Sequence, residues 1–199
     1  MLNISKIHIN YETNPTGIDG NPQFGWEIES DMRCVRQSSY RLLIAKDDSF
    51  ANPVYDSKVV ESEESAHVQA GAVNGAQAES AGYVSTVPEW MDSLTRYFVR
   101  AEITAEGIAA DGERVKEHTV SGPAWFITAL IKEGEWKAPF VSAETDDSYK
   151  ECSKGTYVRG KVLVKKPLKE AYAVTTALGL YNFFLNGRKV GEDEMTPGW

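Results

Sequence analysis

The sequence predicts an all-β protein built from two successive sets of strands. Short segments alternate apolar and polar residues with the period of two that a half-buried strand requires. No stretch of the chain carries the apolar stripe of an amphipathic helix with a cap at each end. Turn residues recur at the spacing of a β-sandwich, in NPTGIDGNP (14–22), KDDSFANP (46–53), AADGERV (109–115) and SGP (121–123).

Three segments carry the strand pattern most clearly: SYRLLIA (39–45), YFVRAEI (97–103) and YVRGKVLV (157–164). Their alternate residues fall on opposite faces of a sheet, so one face of each segment is apolar. We expect the inward faces to hold Tyr40, Leu42 and Ile44 in the first segment, Tyr97, Val99, Ala101 and Ile103 in the second, and Val158, Val162 and Val164 in the third.

The two sets of strands divide within residues 126–140, which pass through polar residues around Trp136. We predict an immunoglobulin-like or fibronectin III-like sandwich over residues 1–128. Residues 129–199 then form a linker and only a few further strands, too few to close a second sandwich. The Ala- and Gly-rich tract 69–83 predicts a long surface loop within the first sandwich, with a flexible linker as the alternative.

A hairpin is predicted near the end of the sequence. Residues 181–185 form an aromatic-rich strand, and residues 188–190 begin the returning strand. Between them, Asn186 and Gly187 both tolerate a positive φ, as a type I′ turn requires. This pattern indicates a local structure and says nothing about function.

Composition excludes several classes of function. The formal net charge of −8 argues against nucleic acid as a partner, because phosphate contacts need clustered Lys and Arg. No apolar stretch is long enough to span a membrane as a helix, and the N-terminus lacks a secretory signal pattern. The two cysteines, Cys34 and Cys152, lie far apart and indicate unpaired thiols. We therefore expect a cytoplasmic protein.

Residue patterns for catalysis are not found. The sequence contains no nucleophile elbow, P-loop, dinucleotide-binding or zinc-protease motif. The histidines His8, His67 and His118 are isolated in sequence, and the acidic clusters 144–151 and 192–194 read as solvated loops. We therefore assign no catalytic residue and no metal ligand, and expect no cofactor.

Tryptophan is the residue type best suited to stacking on a sugar ring. Trp26 and Trp125 lie in strand-like segments, where a role in the core is the default. Trp90 and Trp136 stand beside turns, and we take these two as the candidate substrate-binding residues. Packing at a seam between domains is the alternative role for either one.

Five segments, in order along the chain, share a pattern with one enzyme family. They are NPTGIDGNPQFGWEIES, QSSYRLLIA, VYDSKVVES, WFITALIKEGEWKAPFVS and ALGLYNFFLNGRKVGEDEMTPGW. Together they resemble the N-terminal region of bacterial α-L-rhamnosidases, glycoside hydrolase family 78. The sequence departs from that pattern at Tyr55 and Phe140, where tryptophan is usual, at Phe184, where tyrosine is usual, and at Ser57, where the following glycine is missing. These departures leave the subfamily and the sugar preference open.

The resemblance implies a layout for the longer protein. A fibronectin-like domain is followed by a jelly-roll domain, of which this chain holds the first strands, then by an (α/α)6 barrel and a C-terminal β domain. Family enzymes hydrolyse terminal α-L-rhamnosyl groups with inversion, using two carboxyl groups of the barrel. No position of this chain matches them, so we expect residues 1–199 alone to be inactive and the catalytic domain to follow Trp199.

Two alternatives remain open at this point. The chain is either the accessory part of a hydrolase acting on rhamnose-containing glycosides, or a stand-alone carbohydrate-binding or interaction module. Since an incomplete second sandwich leaves strand edges unpaired, self-association through those edges is also expected.

Overall fold

The structure, a computed structural model, describes residues 1–71, 87–142, 155–168, 170–192, 194 and 196. The chain divides into two compact units, Met1–Glu135 and Trp136–Trp199. Most of the tract 69–83, the whole acidic cluster 144–151, Cys152 and the final turn 197–199 lie outside the described residues. In the part of the chain that is described, all regular structure is β-strand, and no helix there is long and apolar enough to cross a membrane.

The described residues of unit 1 form ten strands. In chain order they are β1 (Asn3–Ile9), β2 (Thr16–Ile18), β3 (Gln23–Glu29), β4 (Arg33–Ala45), β5 (Tyr55–Asp56), β6 (Val60–Glu61), β7 (Val68–Gln69), β8 (Arg96–Ile108), β9 (Arg114–Val120) and β10 (Ala124–Thr128). One sheet has the order β1-β3-β7, and the other has the order β2-β10-β8-β4-β5, with β6 beside β4 and β9 beside β8. All pairs are antiparallel except β2 with β10. The predicted sandwich of the immunoglobulin class is confirmed.

The longest ladder joins β4 to β8 and follows the predicted alternation. The inward residues of β8 are almost completely buried, and so are Leu42 and Ile44 of β4. Val, Ile and Tyr suit such a pleated, half-buried surface. The predicted inward face of β8 is therefore confirmed. In β4, Tyr40 is only half-buried against the same core, and Leu43 and Ala45 on the opposite face are buried as well.

Aromatic rings fill the space between the two sheets. Tyr97 stacks on Phe126, with ring centroids 5.4 Å apart. The ring of Phe24, from the opposite sheet, also packs against Phe126, with a centroid distance of 6.2 Å. All three side chains are buried. Large buried aromatic surfaces dominate the stability of such a core.

A buried polar network also links the sheets. The indole Nε1 of Trp26, on β3, donates to Gln37 Oε1 on β4 at 2.8 Å. The amide Nε2 of Gln37 donates in turn to the backbone oxygens of Ser62 and Glu64, at 3.1 and 2.7 Å. Because buried polar groups must be paired, Gln37 fixes the segment around residues 62–64 against the core.

In unit 2, the described strands are β11 (Phe184–Leu185) and β12 (Arg188–Lys189), which pair antiparallel. Asn186 and Gly187 between them have φ values of 51° and 81°. The N–H of Val190 donates to the backbone oxygen of Phe183 at 2.9 Å. The predicted hairpin and its turn are present.

The structure differs from the sequence prediction at residues 157–164, which form no hydrogen-bonded ladder. Val158, Val162 and Val164 are exposed there instead of sharing a buried face. A strand exists only when a neighbour completes its backbone hydrogen bonds, and the described residues of unit 2 provide such neighbours only in the hairpin and at the Tyr181–Thr196 bridge.

Candidate functional site

Trp90 lies at the edge of the core of unit 1. Its ring meets Tyr97 edge-on, with centroids 5.4 Å apart, and lies 6.3 Å from the ring of Tyr55. The backbone oxygen of Trp90 accepts a hydrogen bond from the hydroxyl of Tyr97 at 3.1 Å. Trp90 is therefore part of the aromatic packing of the sandwich, and a sugar-stacking role for it stays a prediction.

Trp136 is the first residue of unit 2. It is 41% exposed, and its indole N–H donates to the backbone oxygen of Ala138 at 2.7 Å. That bond satisfies the polar edge of the ring within its own segment. A sugar-stacking role for Trp136 also stays a prediction.

A hollow of about 280 Å³ opens on the outer face of the three-stranded sheet. We call it the Tyr11 hollow, and its rim is formed by His8, Tyr11, Gln23, Ser65, Ala66 and His67. The sequence Phe24-Gly25-Trp26 creates its floor, because the two aromatic side chains point into the core and Gly25 points outward with no side chain. A Cβ atom at Gly25 would lie only 3.3 Å from the backbone oxygen of Ser65.

Asn10 holds the rim of the Tyr11 hollow in place. Its N–H donates to the backbone oxygen of Gln23, and its side-chain Oδ1 accepts the N–H of Gln23, both at 2.8 Å. Asn10 and Tyr11 have φ values of 49° and 68°, and His67 has a φ of 59°. Left-handed backbone at residues other than glycine is costly and persists where the surroundings hold it.

Three polar groups meet inside this rim. The Tyr11 hydroxyl donates to Gln23 Oε1 at 3.3 Å and lies 3.2 Å from His67 Nδ1, which is 3.3 Å from the same Gln23 oxygen. The rings of Tyr11 and His67 stand nearly perpendicular, with centroids 5.7 Å apart. His8 Nε2 lies 2.7 Å from Glu27 Oε1. Tyr11 itself is 75% exposed, so its ring is free of the core.

Sequence reasoning missed this site. His8 and His67 looked isolated, but both line the same hollow, whereas His118 lies on the exposed face of β9. The pairing of β3 with β1 on one side and β7 on the other brings distant segments together. A glycine between two aromatic residues in a strand was the one available signal, since it marks a close backbone approach.

A second, larger groove of about 420 Å³ is lined by Cys34, Arg36, Glu106, Gly107, Arg114 and Lys116. Arg36 pairs with Glu63 at 2.6 Å, and Lys116 pairs with Glu106 at 3.5 Å. These pairs balance part of the positive charge of the groove. The Cys34 thiol is exposed and unpaired.

Two carboxyl groups of unit 1, those of Asp56 and Asp92, have a lowered pKa and are held in the ionised form. The Arg41 guanidinium donates to both oxygens of Asp56 at 2.9 Å and holds the pKa of Asp56 well below its usual range. Hydrogen bonds from Lys46 and then Lys132 lower the pKa of Asp92. A general acid requires the opposite shift, so neither carboxyl group is suited to protonate a leaving group. No group of three or more metal-binding side chains comes together within the described ranges.

Comparison with known proteins first gives the class of domain. Residues 4–85 match the family described as the Rha78A-like, N-terminal immunoglobulin domain. Residues 166–199 match a second family, the α-L-rhamnosidase N-terminal domain. The resemblance predicted from the sequence is confirmed: the chain is similar first to a Rha78A-like immunoglobulin domain and then to the α-L-rhamnosidase N-terminal domain.

Individual relatives of the chain point to the same kind of protein. An α-L-rhamnosidase of Formosa agariphila is 26% identical over 221 aligned residues, which cover 98% of this chain and 21% of that protein. An α-L-rhamnosidase of Streptomyces avermitilis is 37% identical over 93 residues, covering 45% of this chain and 8% of that protein. The crystal structure of Streptomyces avermitilis α-L-rhamnosidase complexed with L-rhamnose superposes with a TM-score of 0.54 at 26% identity, covering 72% of this chain and 12% of the other.

The extent of these alignments matters for function. The chain spans about a fifth of the length of the first two curated relatives it matches, 21% and 19%. The shared region is the N-terminal part of α-L-rhamnosidases.

Proposed function

We propose that this chain is the accessory, non-catalytic N-terminal part of an α-L-rhamnosidase. The observation that carries the proposal is the order of the two family matches, an N-terminal immunoglobulin domain at 4–85 and an α-L-rhamnosidase N-terminal domain at 166–199. The substrates of the whole enzyme are then glycosides with terminal α-L-rhamnosyl groups. Their hydrolysis proceeds with inversion of the anomeric centre.

The chemistry of hydrolysis supports a catalytic domain elsewhere. An inverting glycosidase needs one carboxyl group that stays protonated and a second that activates water, held roughly 6.5–9.5 Å apart. The described carboxyl groups with a shifted pKa, Asp56, Asp92 and Glu135, are all shifted toward the ionised form. We therefore assign both catalytic carboxyl groups to a downstream domain.

Exposed apolar side chains in unit 2 support the same division of labour. Tyr157, Val162 and Leu178 are 97%, 92% and 91% exposed. Large exposed apolar side chains, when they come together in a patch, usually mark an interface that another part of a protein covers. We assign that cover to the domain that follows in the longer enzyme.

Hydrolysis of 4-nitrophenyl α-L-rhamnopyranoside tests the proposal. The activity of the 199-residue chain is compared with that of a longer protein, in which the chain is followed by the residues that the gene encodes downstream. We expect product release only from the extended protein, and proton NMR should find β-L-rhamnose as the first sugar formed. Turnover by the 199-residue chain alone, or none by the extended protein, would overturn the proposal.

Carbohydrate binding by the chain itself is the second candidate function. It is favoured by the exposed rings of Trp136 and Tyr11. Titration of the 199-residue chain with rhamnose-containing oligosaccharides tests it, with Trp90→Ala and Trp136→Ala as variants. A flat titration would remove this candidate and leave the accessory role untouched.

A further inference from the structure

We propose that the Tyr11 hollow is a binding site for a single neutral pyranose unit. The site lies on unit 1 and contains neither of the tryptophans selected from the sequence. It names a place and a ligand class for the carbohydrate-binding candidate and does not require any downstream hydrolase. Its volume of about 280 Å³ suits one small ring and is below the range of most drug-sized pockets.

The Tyr11 ring provides the apolar wall of the site. A pyranose has one face made largely of C–H groups, and an aromatic ring covers such a face at little cost in conformational freedom. Tyr11 is 75% exposed, and its position is set by the left-handed backbone at Asn10 and Tyr11. A large ring held outside the core in this way has no role in packing the sandwich.

Polar groups on the other side of the hollow match a sugar's hydroxyl groups. The hydrogen bonds of the Gln23 side chain to described residues use Oε1 as the acceptor, which leaves its Nε2 amide as a donor. The Tyr11 hydroxyl and the His67 imidazole lie next to it, at the long separations of 3.2–3.3 Å. A sugar hydroxyl donates and accepts at once, so it can replace these weak contacts with shorter ones.

Charge defines the class of ligand. Among the described residues that line the Tyr11 hollow there is no aspartate, glutamate, lysine or arginine. Phosphate, sulfate or uronate groups would find no permanent cation there, and the Glu27 carboxylate beside the rim has one of its oxygens 2.7 Å from His8 Nε2. A neutral polyhydroxylated ring is the ligand whose groups all have counterparts.

The site is organised before any ligand arrives. Two 2.8 Å hydrogen bonds between Asn10 and the Gln23 backbone fix one wall. The N–H of Trp26 donates to the backbone oxygen of Ser65 at 2.8 Å and fixes the opposite wall. A rigid rim lowers the entropy that binding would otherwise cost.

Proton–nitrogen NMR titration of the full 199-residue chain tests the site. The probes are methyl α-L-rhamnopyranoside and methyl α-D-glucopyranoside, which are neutral, and D-glucuronate, which is anionic. We expect the neutral probes to shift the amide signals of Tyr11, Gln23 and Gly25, with a dissociation constant in the millimolar range. Glucuronate should shift them much less.

Variants assign the binding to the ring. Tyr11→Ala should weaken binding at least about tenfold, and Tyr11→Phe, which keeps the ring, by only about two- to tenfold. Val59→Ala removes another exposed apolar side chain of unit 1 and should leave binding unchanged. Because Tyr11 is outside the core, both Tyr11 variants should keep the thermal stability of the parent.

Three results would overturn the inference. The first is no signal change with either neutral probe. The second is binding that survives Tyr11→Ala, which would put the sugar elsewhere. The third is tighter binding of glucuronate than of the neutral sugars. A negative result in these titrations would leave the hydrolase assay with 4-nitrophenyl α-L-rhamnopyranoside unaffected, so the two proposals fail separately.

Discussion

The two units of the chain use similar apolar side chains in opposite ways. Unit 1 buries Tyr97 and Phe126 between two sheets, with every inward position of β8 closed from solvent. Unit 2 leaves Tyr157 and Leu178 almost fully exposed, and its described strands form only the hairpin β11–β12. Burial of apolar surface supplies most of the free energy of folding, so the first unit has its own source of stability, whereas the described residues of the second bury little apolar surface.

Replacing one tyrosine in each unit gives the largest expected contrast. Tyr97→Ala removes a fully buried ring. It also removes the hydroxyl group that accepts the N–H of Asp92 and donates to the backbone oxygen of Trp90, so both backbone groups lose their partner. We expect the free energy of unfolding to fall by about 3–5 kcal/mol in urea denaturation. Tyr157→Ala is the matched control, and its effect should stay within about 0.5 kcal/mol. Equal losses would contradict the contrast between the units.

The polar link between the sheets should give the next largest effect. Gln37→Ala leaves the indole N–H of Trp26 and two backbone oxygens without their partner. Loss of about 2 kcal/mol of unfolding free energy is expected. The neighbouring Ser38→Ala removes one 3.3 Å bond to Thr104 and should cost less than about 1 kcal/mol. Equal losses of unfolding free energy in the two variants would show that Gln37 does not link the two sheets.

In unit 1 the strands were predictable from the sequence, whereas their pairing was not. Alternation placed Leu42, Ile44 and the inward residues of β8 correctly, because burial on one face of a strand leaves a period of two. The role of Gln37 could not be read in the same way. Its partners lie on β3 and around residues 62–64, and their proximity follows from the register of the two sheets. Residues 157–164 have the same alternation and form no ladder, since a pattern cannot supply a neighbour.

The hairpin of unit 2 offers a smaller test. Gly187 has a φ of 81°, where a Cβ atom costs about 1 kcal/mol. Gly187→Ala should therefore speed hydrogen exchange at the Val190 N–H about fivefold, because that N–H closes the hairpin onto Phe183. Gly160→Ala, in the same unit with open space around it, is the control and should leave this exchange rate unchanged. An unchanged rate in both variants would mean that the turn does not hold the hairpin.

Acid stability of unit 1 should show the smallest effect. Arg41 depresses the pKa of Asp56 in the folded state, so the ionised carboxylate favours folding. This stabilisation is present above the unfolded pKa of about 4 and is lost as the pH falls below that value. Asp56→Asn should lower stability at neutral pH by less than about 1 kcal/mol and flatten the loss in acid. Asp48→Asn, on an exposed loop, is the comparison; an equally flattened curve there would argue against the pairing.

The Tyr11 hollow shows a second limit of sequence reasoning. Tyr11, Gln23 and His67 are spread over three segments, and none belongs to a recognisable motif. Their proximity depends on positive φ angles at Asn10, Tyr11 and His67, and these angles cannot be predicted from the residue types. Trp90 and Trp136 were selected because tryptophan suits sugars chemically, and chemistry alone gave no information on which rings the fold leaves exposed.

Strand β10 also has a mechanical consequence. It is the last described strand of unit 1 and is paired on both sides, antiparallel with β8 and parallel with β2. The N–H of Ala129 adds a hydrogen bond to the backbone oxygen of Ile18. Ladder hydrogen bonds cross the strand axis, so a pull applied through the chain after Thr128 loads all of them together in shear. The hairpin β11–β12, pulled from its two ends, would open one pair at a time. Strand β10 should therefore resist a pull along its axis better than the hairpin does.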